Sequence, residues 1–146
     1  AENDIAARRC HSCDELLFDA DDQLKAALAL KDAKVIHCAG MTLHPERKQG
    51  RILLRVTYHD EEGAELSERF AFDAAGSLQR LNQHLIARHW RAPGLAPQLV
   101  TLESVLDAEP QLRHPDFVIA RKQGHVWRIT EKIFDYQGRF RTAYAL

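Results

Sequence analysis

Two cysteines near the start of the sequence, Cys10 and Cys13, are the residues best suited to chemistry, because they stand in a Cys-x-x-Cys spacing. Thiolates at this spacing hold half of a structural zinc site or form a redox pair. A structural zinc site needs four ligands, and its folding energy is released only when the tetrahedron is complete. His37 and Cys38 are adjacent in a predicted strand and point to opposite faces, so only one of them could be a third zinc ligand. His11 lies between the two cysteines, and its ring is directed away from a metal that both would grip.

Three interpretations of this cysteine pair follow. The spacing N-x-x-x-A-R-R-C-x-x-C from Asn3 to Cys13 resembles the second half of a zinc ribbon, whose first Cys-x-x-Cys-Gly knuckle would precede Ala1. We therefore expect a fragment in which Cys10 and Cys13 bind zinc only together with an upstream pair, and no cofactor in the fragment itself. A redox pair would need a preceding strand, and the residues before Cys10 are polar. The third interpretation is two free thiols, and Cys38 is predicted to be a small buried residue.

Composition narrows the class of protein. The chain has 146 residues, 45% of them hydrophobic and 28% charged, which is typical of one soluble globular domain. No signal peptide is visible and no apolar run approaches the roughly 18 residues of a membrane span, so we expect a cytoplasmic protein without membrane contact. An odd count of three cysteines argues against a secreted disulfide framework.

No catalytic constellation is recognisable. The sequence lacks a phosphate loop of the form G-x-x-x-x-G-K-[ST], a G-x-S-x-G nucleophile turn and an H-E-x-x-H helix. His84 and His89 are five residues apart on a predicted helix, which does not form an i, i+4 metal pair. We therefore expect no enzymatic activity from this chain. A small enzyme that uses its eight histidines is the weakest of three alternatives.

Positive charge is concentrated in the second half. Residues 1–73 carry ten Lys and Arg against fifteen Asp and Glu, whereas residues 74–146 carry ten against six. Aromatic rings among cations suit single-stranded nucleic acid, because bases stack on the rings while cations follow the phosphates. The predicted nucleic-acid or partner contacts are Arg88, Arg91, Arg121, Lys122, Arg128, Lys132, Arg139 and Arg141. The competing interpretation is that Trp127 belongs to the core, in phase with Ile129 and Ile133, and that Arg88 and Arg91 are simply favoured at a helix end.

The hydrophobic periodicity predicts an α+β fold. Two domains are expected, a truncated half-ribbon over residues 1–18 and an accessory domain over 19–146. The predicted helices cover 19–30, 75–90 and 101–108, and the predicted strands cover 33–43, 51–60, 64–73, 116–122, 125–134 and 140–146. Residues 44–50 are predicted to be a loop. These strands would form a mainly antiparallel sheet of five or six strands, which could curl into a partly open OB-like barrel.

Four segments resemble the C-terminal region of RadD-type superfamily II DNA-repair helicases, within the DEAD/DEAH-box helicase family. They are the Asn3–Cys13 motif, LLFDAD at 16–21, ILLRVTYHDEEG at 52–63 with SERF at 67–70, and RHPDFVIARKQGHVWRITEKIFDYQGRFR at 113–141. The resemblance implies a parent protein with two RecA-like motor domains that bind and hydrolyse ATP, joined to this region by a zinc ribbon. Only Cys10 and Cys13 carry over as site residues, and no catalytic residue does.

The resemblance and the cations together predict a non-catalytic accessory domain of a DNA-repair helicase. DNA, in single-stranded or forked form, is the expected partner of the parent protein, and DNA-repair proteins are further expected partners. The alternative is a protein-docking module without nucleic-acid contact of its own.

Overall fold

The computed structural model describes residues 12–29, 32–92 and 94–138, with side chains from Asp21 onward. The described chain forms two compact units. One unit contains the described residues up to His37 together with those from Asp116 onward, and the other contains Cys38–Pro115. Cys10, Arg139, Arg141 and the strand predicted over 140–146 lie outside the described residues.

Twelve elements follow one another along the described chain. They are α1 (Ser12–Ala29), β1 (Ala33–His37), β2 (Gly40–Lys48), β3 (Arg51–His59), β4 (Glu65–Ala71), α2 (Ala75–Leu81), a π-helical turn (Asn82–Ile86), α3 (Ala87–His89), α4 (Leu102–Asp107), a 3-10 turn (Glu109–Gln111), β5 (Phe117–Gln123) and β6 (Val126–Ile133). No helix in this described part has the length and apolar character that a membrane crossing requires.

The first unit packs α1 on one face of a three-stranded antiparallel sheet of order β1-β5-β6. Leu24 and Ala27 lie one helical turn apart on α1, so both face the sheet. They are buried against alternate residues of the strands, which therefore share one face. The buried cluster consists of Leu24, Ala27, Val35, Phe117, Ile119 and Ile133.

The second unit contains a sheet of order β2-β3-β4 and the helical segment that follows it. Alternation in β3 places Leu54, Val56 and Tyr58 on one face, where all three are fully buried. The predicted helix over 75–90 is confirmed as three consecutive helical segments that end at His89. Its spacing predicts an apolar stripe of four residues, of which Leu81, Leu85 and Ile86 are buried and Leu78 is partly exposed.

The α+β class and the antiparallel pairing are confirmed, but the strands are arranged in two open three-stranded sheets and not in one sheet or barrel. The strand predicted over 33–43 is divided after His37, because β1 pairs with β5 whereas β2 pairs with β3.

The loop predicted over 44–50 was wrong for most of its length, since β2 continues to Lys48. Pro45 is tolerated there because β2 is an edge strand. The turn is made by Gln49 and Gly50, both with positive φ (52° and 77°), as a two-residue hairpin turn of the I′ kind requires.

The boundary between the two predicted domains, at residue 18, stays a prediction. The helix predicted to begin at residue 19 begins at Ser12 in the structure and runs across that position. Residues 1–11, which include most of the proposed half-ribbon, lie outside the described chain.

Candidate nucleic-acid interface

The structure distributes the predicted contact residues over both units. Arg121, Lys122, Arg128 and Lys132 lie on β5 and β6 in the first unit, whereas Arg88 and Arg91 lie in the second. Lys132 is only 9% exposed, so it contributes little to the surface, unlike the other three residues of the hairpin.

The end of the β5–β6 hairpin brings three of these cations together. Arg121 and Arg128 are directly opposite each other in the register, and Lys122 is opposite Trp127. Gly124 makes the tight turn with a φ of 66°. Like charges directly opposite on antiparallel strands destabilise the pair. An arrangement of this kind is therefore best compensated by an anion from outside the chain.

The local hydrogen bonds do not neutralise these charges. Arg128 Nε donates to Gln123 Oε1 at 2.8 Å, which orients the guanidinium without compensating it. Among the described residues, Arg121, Lys122 and Arg128 form no ion pair with a carboxylate. All three side chains are exposed.

Three arginines of the β2-β3-β4 sheet are different because each has a carboxylate partner, whereas Arg47 on β2 forms no ion pair with a carboxylate among the described residues. Arg69 Nε lies 2.6 Å and Arg55 Nη1 3.3 Å from the carboxylate oxygens of Glu46. Arg51 is paired with Asp73 at 2.8 Å. The hydrogen bond from Arg69 lowers the pKa of Glu46, so this carboxyl group stays ionised at neutral pH. Arg51, Arg55 and Arg69 are therefore neutralised within the chain, whereas the cations at the end of the β5–β6 hairpin are not.

A second feature of the hairpin was not predicted from the sequence. Lys34, on β1, places its Nζ 5.5 Å from the centre of the Trp127 ring. A cation at this distance from an indole ring is attracted by its electron-rich face. The side chain of Trp127 is half-buried, so it is not a core residue as its spacing from Ile133 had suggested.

A β-bulge explains why the spacing of Trp127, Ile129 and Ile133 wrongly predicted that all three share one buried face. The register shifts between Ile119 and Ala120, and Thr130 is left without a partner in the ladder. One extra residue on a strand reverses which face the following side chains occupy. Ile133 therefore faces α1, whereas Trp127 and Ile129 face the other way, together with Lys122.

Arg88 lies in the last turn of the helical segment of the second unit, Arg91 lies two residues beyond its end at His89, and both are exposed. The backbone of Arg91 is fixed to Gln111 by a 2.7 Å hydrogen bond from its N–H to the carbonyl oxygen. Their position near a helix C-terminus agrees with the interaction of cations with the helix dipole. This pair gives a weaker argument for nucleic-acid contact than the hairpin end.

The second unit also contains a buried polar chain. The hydroxyl of Tyr58 donates to Glu68 Oε2 and lies 3.2 Å from His89 Nε2, while His89 Nδ1 lies 2.8 Å from the carbonyl oxygen of Arg113. His89 and Tyr58 are fully buried. Burial, and then the Glu68 carboxylate, raise the pKa of Tyr58 well above its ordinary value. Tyr58 and His89 are thus held together with the partly exposed Glu68, and the contacts join β3, β4 and α3 within the unit.

Of the three cysteines, only Cys38 has a side chain that the structure describes. Cys38 is confirmed as buried, with its Sγ 3.2 Å from the carbonyl oxygen of Gly40. Cys13 lies in α1, at a position whose side chain is not described, and Cys10 lies before it. Within the described residues, no group of three or more histidine, cysteine or acidic side chains could hold a metal ion.

Comparison with family models gives a match. A family model described as the RadD C-terminal domain matches residues 16–132, which is well over half of the chain. The comparison with curated proteins found no match.

Proposed function

Because this chain belongs to the RadD C-terminal domain family, we propose that it is the accessory domain of an ATP-dependent DNA-repair helicase and contributes DNA contacts through the end of its β5–β6 hairpin. The observation that carries the proposal is the cross-strand pair Arg121–Arg128, flanked by Lys122 and without a carboxylate partner among the described residues. Cations that neutralise phosphates release condensed counterions, which favours binding.

The rest of the proposed activity belongs to the longer protein. Motor domains upstream would bind and hydrolyse ATP, and this chain alone is expected not to hydrolyse it. Zinc is proposed only for a protein in which an upstream Cys-x-x-Cys completes the ligand set with Cys10 and Cys13, because two thiolates do not close a tetrahedron. DNA-repair proteins are proposed as further partners.

A measurement of DNA affinity against salt concentration tests the proposed contact. With about three to five phosphates neutralised, the slope of log K against log salt should be about −2.7 to −4.5 on duplex DNA. The double variant Arg121→Glu/Arg128→Glu should reduce that slope by roughly two, at an unchanged fold by circular dichroism. Arg47→Glu/Lys48→Glu, on exposed residues of β2, makes the same change in net charge and should have a much smaller effect.

Equal losses in both double variants would mean that net charge alone drives binding and would contradict a site at the hairpin. The alternative, a protein-docking module, is favoured by one observation, the complete exposure of Leu95 in the loop after α3. That alternative predicts no DNA binding at low salt in any of these variants.

A further inference from the structure

We propose that Trp127 is a stacking platform for one unpaired base, with Lys34 and Lys122 beside it on the same sheet face, so that the DNA bound at the hairpin is single-stranded. This inference rests on the proposed function and specifies its substrate. It assigns a binding role to Trp127 and Lys34, which the sequence pattern had left out of the contact set.

The three side chains lie on one face of the β1-β5-β6 sheet. Lys122 is the register partner of Trp127, and Lys34 is paired with Ala120, one position along β5 on the same face. Lys34 Nζ is 5.5 Å from the centre of the indole ring. Because β6 is an edge strand, both lysines lie on the same side of Trp127. A base stacked on the indole would direct its phosphates towards this pair of cations.

The position of Trp127 is not explained by packing in the first unit. The buried cluster beneath α1 contains Phe117, Ile119 and Ile133 and does not include Trp127. The bulge at Thr130 turns Trp127 to the sheet face opposite this cluster. The indole is partly exposed near the tip of the hairpin, although Val118 and Ala120 on the same sheet face are fully buried. Its exposed part can contact a ligand.

Stacking on Trp127 selects single strands because the bases of a duplex are already stacked on their neighbours. An unpaired base exposes its ring face at little cost, whereas a paired base must first leave the helix. Arg121 and Arg128 lie on the other face of the hairpin, since they alternate with Lys122 and Trp127. The arginine pair and the indole can therefore be tested separately.

The test compares two DNA probes of equal charge, a 12-residue deoxyadenosine oligonucleotide and a 12-residue abasic strand. The whole 146-residue chain should bind the base-containing strand more tightly. Trp127→Val, which keeps a strand-forming residue, should weaken that binding by about 5- to 100-fold and leave the abasic strand unaffected. Trp127→Phe keeps an aromatic face and should stay within a few-fold of the natural chain.

A second measurement does not depend on the fold of a Trp127 variant. In Trp90→Phe, Trp127 is the only tryptophan, and its fluorescence should be quenched by the deoxyadenosine strand but not by the abasic strand or by a 12-base-pair duplex. Equal affinity of Trp127→Val and Trp127→Phe for the deoxyadenosine strand, or absence of quenching while binding is measured, would overturn the stacking proposal and leave a phosphate contact at Arg121 and Arg128 intact. If the natural chain binds none of these DNA probes, the proposed function itself is overturned.

Discussion

At the residue scale, the buried polar chain of the second unit shows what alternation along a strand can and cannot reveal. Alternation along β3 predicts one face with Ile52, Leu54, Val56 and Tyr58, and all of them except Ile52, which is 47% exposed, are buried. The partners of Tyr58, Glu68 and His89, come from β4 and from the end of a helix. A buried hydroxyl without a partner would cost about 1–3 kcal/mol, so these contacts are needed once Tyr58 is inside.

The raised pKa of Tyr58 predicts a specific loss of stability in alkali. In the unfolded chain Tyr58 loses its proton near pH 10, whereas burial and Glu68 keep it protonated in the folded chain above that pH. The folded state then binds more protons, so the free energy of unfolding falls as pH rises. Urea unfolding should show a contribution from Tyr58 that is constant below about pH 10 and is lost above it, at about 1.4 kcal/mol per pH unit.

Tyr58→Phe provides the control for this titration. The variant should be less stable at neutral pH by about 1–3 kcal/mol, because Glu68 and His89 lose their shared hydroxyl. Its stability should decline less steeply above pH 10 than that of the natural chain. An identical alkaline decline in both proteins would show that other groups cause it.

A second residue-scale prediction concerns Gly40 at the start of β2. A Cβ at this position would collide with the imidazole of His59, coming within 2.6 Å of its Cε1 and closer to Nε2. Gly40→Ala should therefore lower the free energy of unfolding by about 1–3 kcal/mol, the cost of overpacking. Gly76→Ala is the matched control, since its Cβ would meet nothing within 4 Å and α2 gains a better helix former.

A double-mutant cycle identifies the cause of the Gly40 effect. In a His59→Ala background the imidazole is absent, so Gly40→Ala should cost much less than in the natural chain. An additive effect of the two substitutions would assign the cost to the backbone of β2 and contradict the collision with His59.

At the element scale, the helical segment and the loop that follows it are joined by one side chain. Asn82 lies in the π-helical turn and is 5% exposed. Its Nδ2 donates to the carbonyl oxygens of Leu78 (2.9 Å) and Leu99 (2.8 Å), and its Oδ1 accepts from the N–H of Leu99 at 2.8 Å. The side chain thus fixes both backbone polar groups of one loop residue.

Asn82→Ala should release this loop. The carbonyl and N–H of Leu99 would lose their partner, so we expect a loss of about 2–4 kcal/mol in the free energy of unfolding. The amide proton of Leu99 should exchange with solvent far faster, because the Asn82 oxygen that accepts its hydrogen bond is removed. Asn82→Asp keeps the acceptor oxygen and should protect that amide better than alanine does. Unchanged exchange at Leu99 in the alanine variant would disprove this role for Asn82.

The elements predicted with most success were those whose boundaries are marked by residues close together in the sequence. The capping box of α4 is present, with Ser104 N–H donating to Thr101 Oγ1 at 3.1 Å and Thr101 N–H donating to Ser104 Oγ at 3.3 Å. The continuation of β2 to Lys48 was missed because Pro45 and Gly50 resemble loop residues when the edge position of the strand is unknown.

At the scale of the whole molecule, the charge imbalance read from the two halves of the sequence does not map onto the two units. The first unit is built from two separate stretches of chain, one before Cys38 and one after Pro115. The hairpin cations belong to this unit together with the acidic residues of α1, whereas Arg88 and Arg91 belong to the other. Binding of DNA is therefore predicted to depend on local arrangement at the hairpin and not on the net charge of a half.

The amino-acid sequence by itself determined the α+β class, most of the helices and strands, the buried stripe of the long helix and the membership of the cations in the hairpin. These features depend on residues only a few positions apart, so their periodicity and helix-capping motifs can be recognised in the amino-acid sequence. Only the tertiary structure decided that Ala33 pairs with Arg121, that six strands divide into two sheets, and that Trp127 leaves the core. Pairing between distant strands and a one-residue bulge depend on which surfaces can be buried together, and no local pattern records that choice.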